Sequence, residues 1–118
     1  MSLKPLHVLI IEDNPSDAGL IERHLRQAGF DLHALRVDTQ ADLAAALHSN
    51  AWQIVLSDYH LPGFSAVEAL ALVRQHALDM PFIVVSGMIG EDKAVEVMRA
   101  GAQDYVMKDR LSRLALAV

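Results

Sequence analysis

The sequence predicts an α/β protein with a doubly wound, parallel sheet. Short apolar runs alternate with longer amphipathic stretches along all 118 residues. The apolar runs are mostly continuous, without strict alternation, which is the pattern of strands covered on both faces. The chain divides into five strand–helix units of about 24 residues, the length of a βαβ repeat. A chain of this length makes one domain and can bury a core without covalent staples.

The elements follow in order. Leu6 to Ile11 is the first strand, ending at Glu12-Asp13. Asn14 caps a helix that has Pro15 at its first position and Asp17 at its positive end. Leu20, Ile21, Leu25 and Ala28 recur at helical spacing, and Gly29 stops the helix. Leu32 to Val37 is the second strand. Thr39 with Asp42 opens a second helix, whose apolar face is Leu43, Ala46 and Leu47. Trp52 to Leu56 is the third strand, with Trp52 packing at its start, and Pro62-Gly63 punctuates the loop after it. Ser65 with Glu68 reads as a capping box, opening a helix to about His76. Pro81 precedes a fourth strand, Phe82 to Val85. Glu91 to Ala100 is a helix closed by Gly101, and Asp104 to Met107 is a short fifth strand. Leu111 to Val118 begins a fifth helix, with Leu111, Leu114, Ala115 and Val118 on its apolar side. It reads as a helix cut short, so the expectation is one domain, residues 1–118, from the N-terminal part of a longer protein.

Composition removes whole classes of function. There is no cysteine, which excludes a disulfide scaffold, a thiolate metal site and a cysteine nucleophile. Hydrophobic residues make up 53% and aromatics only 5%, so the core is aliphatic and the composition argues against disorder. The formal charge of −5 makes direct nucleic-acid binding a poor prospect, because phosphate contacts need clustered cations. No apolar run approaches the roughly 20 residues of a membrane span. The run ending at Ile11 lacks the layout of a signal peptide. These features fit a cytoplasmic protein.

In an open parallel α/β sheet, ligands bind beyond the carboxyl ends of the strands. Strand one ends in Glu12-Asp13, strand three in Asp58, strand four in Ser86 and strand five in Lys108. Each alone has a bland reading: a helix start, a turn former, a strand-end hydroxyl, a surface lysine. Together they converge on one rim. Carboxylates about 4 Å apart repel by roughly 4 kcal/mol per pair at an effective dielectric near 20. Such a cluster takes up a proton or a cation, and an all-oxygen site with room for water suits Mg²⁺. A carboxylate beside Mg²⁺ can attack phosphorus to give an aspartyl phosphate, with the metal and Lys108 neutralising the equatorial oxygens.

The combination of Val8 to Asn14, Asp58 to Gly63, Val84 to Gly87 and Gly101 to Lys108, in order and at strand ends, resembles response-regulator receiver domains over essentially the whole chain. The resemblance implies a flavodoxin-like (βα)5 fold with strand order 2-1-3-4-5. It implies that Asp58 is the phosphoacceptor. Asp13, Glu12, Asp58 and the backbone carbonyl of His60 would hold Mg²⁺. Ser86 would bind a phosphoryl oxygen, and Lys108 would bind the phosphoryl group. Tyr105 would follow Ser86 in a switch between two states, though a half-buried packing aromatic explains it equally well. The side chains of His60 and Met88, each two residues beyond Asp58 and Ser86, would tune the lifetime of the phosphorylated state. The phosphoryl group would come from a histidine kinase or a phosphotransfer protein. The signal would leave by the face built from the fourth helix, fifth strand and fifth helix, toward an output domain or partner, with homodimerisation left open.

Two features depart from the family pattern. Lys108 is followed by Asp109, where receivers commonly carry a cis proline, so the lysine must be held in another way. The loop from Gly87 to Gly90 carries a glycine at each end, which makes it permissive. Two further readings compete. A phosphorylation-independent interaction module would not need all of these chemical residues. A Mg²⁺-dependent phosphohydrolase would want an acid two residues beyond Asp58, where His60 stands. On the receiver reading the chain is a signalling domain that catalyses only its own phosphorylation and dephosphorylation. The six histidines, His7, His24, His33, His48, His60 and His76, show no metal-ligand spacing and read as surface or edge residues.

Overall fold

A computed structural model describes residues 3–49, 51–77, 79–87 and 90–118. The chain runs β1 (Lys4–Ile11), α1 (Pro15–Gln27), β2 (Phe30–Val37), α2 (Gln40–Ser49), β3 (Ile54–Ser57), β4 (His60–Leu61), β5 (Phe64–Ser65), α3 (Ala66–His76), β6 (Phe82–Ser86), α4 (Glu91–Arg99) and β7 (Asp104–Met107). A 3₁₀ helix (Lys108–Arg113) then leads into α5 (Leu114–Ala117). Strands β2-β1-β3-β6-β7 form one sheet, and every neighbouring pair in it is parallel. This is the expected 2-1-3-4-5 order, since β4 and β5 form a separate two-stranded hairpin.

Strand period divides the core into two layers. Leu9, Ile11, Val55, Phe82 and Val84 pack with Leu43, Ala46, Leu70, Val73 and Val97 from α2, α3 and α4. Val8, Ile10, Leu56, Ile83, Val85 and Val106 point the other way, onto Ala18, Ile21 and Leu25 of α1 and onto Leu111 and Leu114. Because both faces are covered, residues 8–11, 54–56 and 82–85 are apolar at every position. Arg74 of α3 ties two loops together, donating from one nitrogen to the Met80 carbonyl at 2.6 Å and from the other to the Gly101 carbonyl at 3.1 Å.

The expected punctuation is present, with four differences. Asn14 accepts from the Ser16 and Asp17 amides, and Thr39 Oγ1 accepts from the Asp42 amide. Gly29 and Gly101 end α1 and α4 with φ of 100° and 113°, a region closed to most side chains. Strand β3 begins later than Trp52, because that indole donates to the Ala46 carbonyl at 2.9 Å and holds the end of α2 instead. Ser65 stands at the N-cap of α3 but makes no capping bond. Its backbone belongs to the hairpin, and the first helical amide, Ala66, donates to the Tyr59 carbonyl. The β4–β5 hairpin itself is too short to leave a periodic signal in the sequence. The last segment turns first through 3₁₀ geometry and becomes α-helical only at Leu114.

Candidate functional site

The rim formed by the carboxyl ends of β1, β3, β6 and β7 collects the expected residues. One carboxylate oxygen from each of Glu12, Asp13 and Asp58 lies within 4.8 Å of the others. Parallel pairing causes this: Ile11 sits opposite Ser57, so the next residues of both strands leave the sheet side by side. The Asp58 amide donates to the Ile11 carbonyl at 2.9 Å and holds the two exits together. Glu12 is buried, Asp58 is partly buried and Asp13 is exposed.

Lys108 reaches this group from the end of β7. Its Nζ lies 2.6 Å from Glu12 Oε1, 2.7 Å from Asp17 Oδ2 and 3.1 Å from Asp58 Oδ2. The lysine therefore stands on the first turn of the 3₁₀ helix and is held by three carboxylates, which answers how it is positioned without a following proline. Asp17 is the site member that sequence reasoning missed. Its position at the start of α1 points by itself only to a helix-dipole role. The available signal was its place one helical turn after Asp13, on a helix whose Asn14 cap starts at the rim.

Burial shapes the ionisation here. Desolvation pushes the Glu12 carboxyl up to about 7, against the lowering effect of Lys108 and the Asn14 amide, and the Asp58 charge adds to the rise. Burial alone would lower the Lys108 ammonium. Hydrogen bonds to Asp17, Glu12 and Asp58 outweigh it and hold the lysine charged, above its ordinary range. Glu12 Oε2 accepts from the Asn14 amide at 3.2 Å. Glu12 Oε1 pairs with the Lys108 ammonium at 2.6 Å. Glu12, Asp13, Asp17 and Asp58 put four carboxylates around one ammonium. That surplus of oxygen and negative charge fits a hard divalent cation.

The other expected residues are placed as follows. Ser86 is buried at the end of β6, on the same rim. Tyr105 is partly buried and packs against the α2–α3–α4 layer. The His60 side chain is exposed and sits edge-on to Tyr59, with ring centroids 5.0 Å apart. Tyr59 is buried under Lys93, and its hydroxyl lies 3.5 Å from Glu96. Met88 lies outside the described residues. On α4, Val95 and Met98 are exposed, which gives the expected output face an apolar surface.

Comparison with known proteins agrees with this geometry. The sequence profile of the response regulator receiver domain matches residues 8–118, and the chain belongs to that family. It is a phosphoacceptor signalling domain of the two-component type. It is 31% identical over 99 residues to the luminescence regulatory protein LuxO of Vibrio campbellii, covering 84% of this chain and 21% of that protein. It is 30% identical to the response regulator FleR of Pseudomonas aeruginosa, over 92% of this chain and 23% of FleR. The chain thus spans about a fifth of the length of these relatives. Among solved structures, the signal receiver domain of a putative LuxO repressor from Vibrio parahaemolyticus superposes with a TM-score of 0.78. That match has 27% identity and covers 98% of this chain and 90% of the other. A CheY-like receiver from Methanospirillum hungatei gives 0.78 at 25% identity, over 98% and 89% of the two chains. Among the described residues no helix is long and apolar enough to cross a membrane.

Proposed function

We propose that Asp58 accepts the phosphoryl group and that Lys108, Ser86 and the Glu12–Asp13–Asp58 carboxylates are the machinery that lets it do so. The observation that carries this reading is one ammonium and three strand-end carboxylates within reach of each other on the rim of the sheet. An Asp58 carboxylate oxygen attacks the phosphorus of a phosphohistidine. The P–N bond breaks, a P–O bond forms, and the imidazole leaves and takes up a proton. Lys108, already charged and 3.1 Å from Asp58, binds a phosphoryl oxygen as Asp58 loses its own charge to the new acyl phosphate. Ser86 donates to a second oxygen.

Glu12, Asp13, Asp58 and the His60 carbonyl would hold Mg²⁺, which when bound screens the charge on the transferring group. Tyr105 and the face carried by α4, β7 and α5 pass the change on. The partner is a histidine kinase or phosphotransfer protein, and the setting is the cytoplasm. The His60 and Met88 side chains set how long the phosphorylated state lasts, and substituting each while timing dephosphorylation tests that. The length of the relatives supports reading this domain as the receiver part of a longer signalling protein. The phosphohydrolase alternative finds no support, because the position it needs as an acid is the exposed His60.

The direct experiment treats the protein with a small phosphodonor and Mg²⁺ and follows its mass. Wild type should gain one phosphoryl group and Asp58→Ala none. Absence of the gain in wild type overturns the proposal, and an equal gain in Asp58→Ala overturns the assignment to Asp58.

A further inference from the structure

Two of the three helices that cover one face of the sheet, α2 and α3, end side by side, each with a histidine in its last turn. His48 lies in the last turn of α2 and His76 is the last residue of α3. Their Nε2 atoms are 3.0 Å apart, and both side chains are exposed. The rings are nearly perpendicular at 82°, with centroids 4.5 Å apart. An end-on N–H···N bond would separate the centroids from each other by a full ring diameter more than the nitrogens. The observed excess is smaller, so the rings meet edge-on at an angle, and without a cation His48 Nε2 can donate to His76 Nε2. Two imidazoles bound to one metal at about 2.0–2.1 Å place their nitrogens roughly 2.9–3.4 Å apart, and the pair meets that condition.

Further features favour a cation there. His76 Nδ1 lies 3.1 Å from the Leu72 carbonyl and donates to it. That bond puts the proton on Nδ1 and leaves the Nε2 lone pair free, the arrangement by which metal-bound histidines are oriented. Both histidines sit at helix C-termini, where the peptide dipoles attract positive charge. Two imidazolium ions cannot share this spacing, whereas a single divalent ion satisfies both lone pairs and both helix ends. The helices run opposite to the strands, so this cluster lies at the other end of the domain from the Asp58 rim.

We propose that His48 and His76 form a binding site for a divalent transition-metal ion of the zinc–copper class, which clamps α2 to α3. Imidazole suits these ions, whereas the all-oxygen rim suits Mg²⁺. Among the described residues no third histidine or carboxylate joins the pair, so water completes the coordination and the ion is exchangeable.

Untagged protein is titrated with Zn²⁺ by calorimetry under saturating Mg²⁺, and with Cu²⁺ under electron paramagnetic resonance. Wild type should bind one ion with two nitrogen ligands. His48→Gln and His76→Gln should each weaken binding about tenfold or more and abolish the two-nitrogen signature, while His33→Gln leaves both unchanged. Circular dichroism confirms that the variants fold, as their exposure leads one to expect. Equal affinity in His48→Gln, His76→Gln and wild type, or a copper signal with only oxygen ligands, overturns the proposal. Either result leaves the Asp58 chemistry untouched.

Discussion

Replacing Glu12 by Gln should make the protein more stable at pH 8 while changing little at pH 5. Glu12 is 1% exposed, and burial raises its carboxyl from 4.5 to about 7. Between those values the folded chain holds a proton that the unfolded chain has released. Stability therefore falls as pH rises through this window. At about 1.4 kcal/mol per pH unit, the loss from this one group approaches about 3 kcal/mol. Glutamine has the shape of the protonated acid and never ionises, so it removes the loss. Part of the gain is offset, because Lys108 gives up its 2.6 Å partner and keeps only Asp17 and Asp58. A net gain of about 2 kcal/mol at pH 8 is expected, with the two proteins within about 1 kcal/mol at pH 5. Urea unfolding of both proteins across pH 5 to 8 measures it. Millimolar Mg²⁺ should shrink the difference by favouring the ionised wild type. Parallel stability curves for the two proteins over the whole window would refute the reasoning.

Four other substitutions test three separate parts of the structure. Asp17→Asn removes a partly exposed partner of Lys108, with side chains 32% and 20% accessible. The freed lysine should speed phosphorylation by a small donor about two- to fivefold, and an unchanged or slower rate would show that Asp17 does not compete for Lys108. Arg74→Met loses both bonds to the Met80 and Gly101 carbonyls and should cost about 1.5–3 kcal/mol in urea unfolding. A cost below about 0.5 kcal/mol would mean that water replaces the arginine freely. Gly101→Ala, at φ 113°, should destabilise by about 1 kcal/mol or more, whereas Gly19→Ala inside α1, with open space around it, should stabilise by about 0.5–1 kcal/mol. Shifts of the same sign for both glycines would contradict the backbone argument.

The class of fold and the heart of the site were legible before any coordinates. Val8 to Ile11, Ile54 to Leu56 and Phe82 to Val85 are apolar at every position because both of their faces are buried. In such a sheet the first polar residues after each run fall on one rim, so Glu12, Asp13, Asp58, Ser86 and Lys108 could be placed together from spacing. Asn14, Thr39, Gly29 and Gly101 were readable because caps and left-handed turns depend on local backbone chemistry. The Ser65–Glu68 box misled because a neighbouring hairpin had engaged the serine's backbone, which local sequence does not show.

Proximity across the chain needed the fold. Asp17 and Lys108 are 91 positions apart, and His48 and His76 are 28 apart. Which acid reaches the lysine, and which two helix ends meet, depend on how α1, α2 and α3 pack on the sheet. The same holds for Glu12. Its identity at a strand end was plain, but the upward shift of its carboxyl comes from burial, to which the Asp58 charge adds and which Lys108 opposes. Periodicity along one chain encodes what each residue faces. The energy of a charge is set by everything packed around it, and that is a property of the assembled layers.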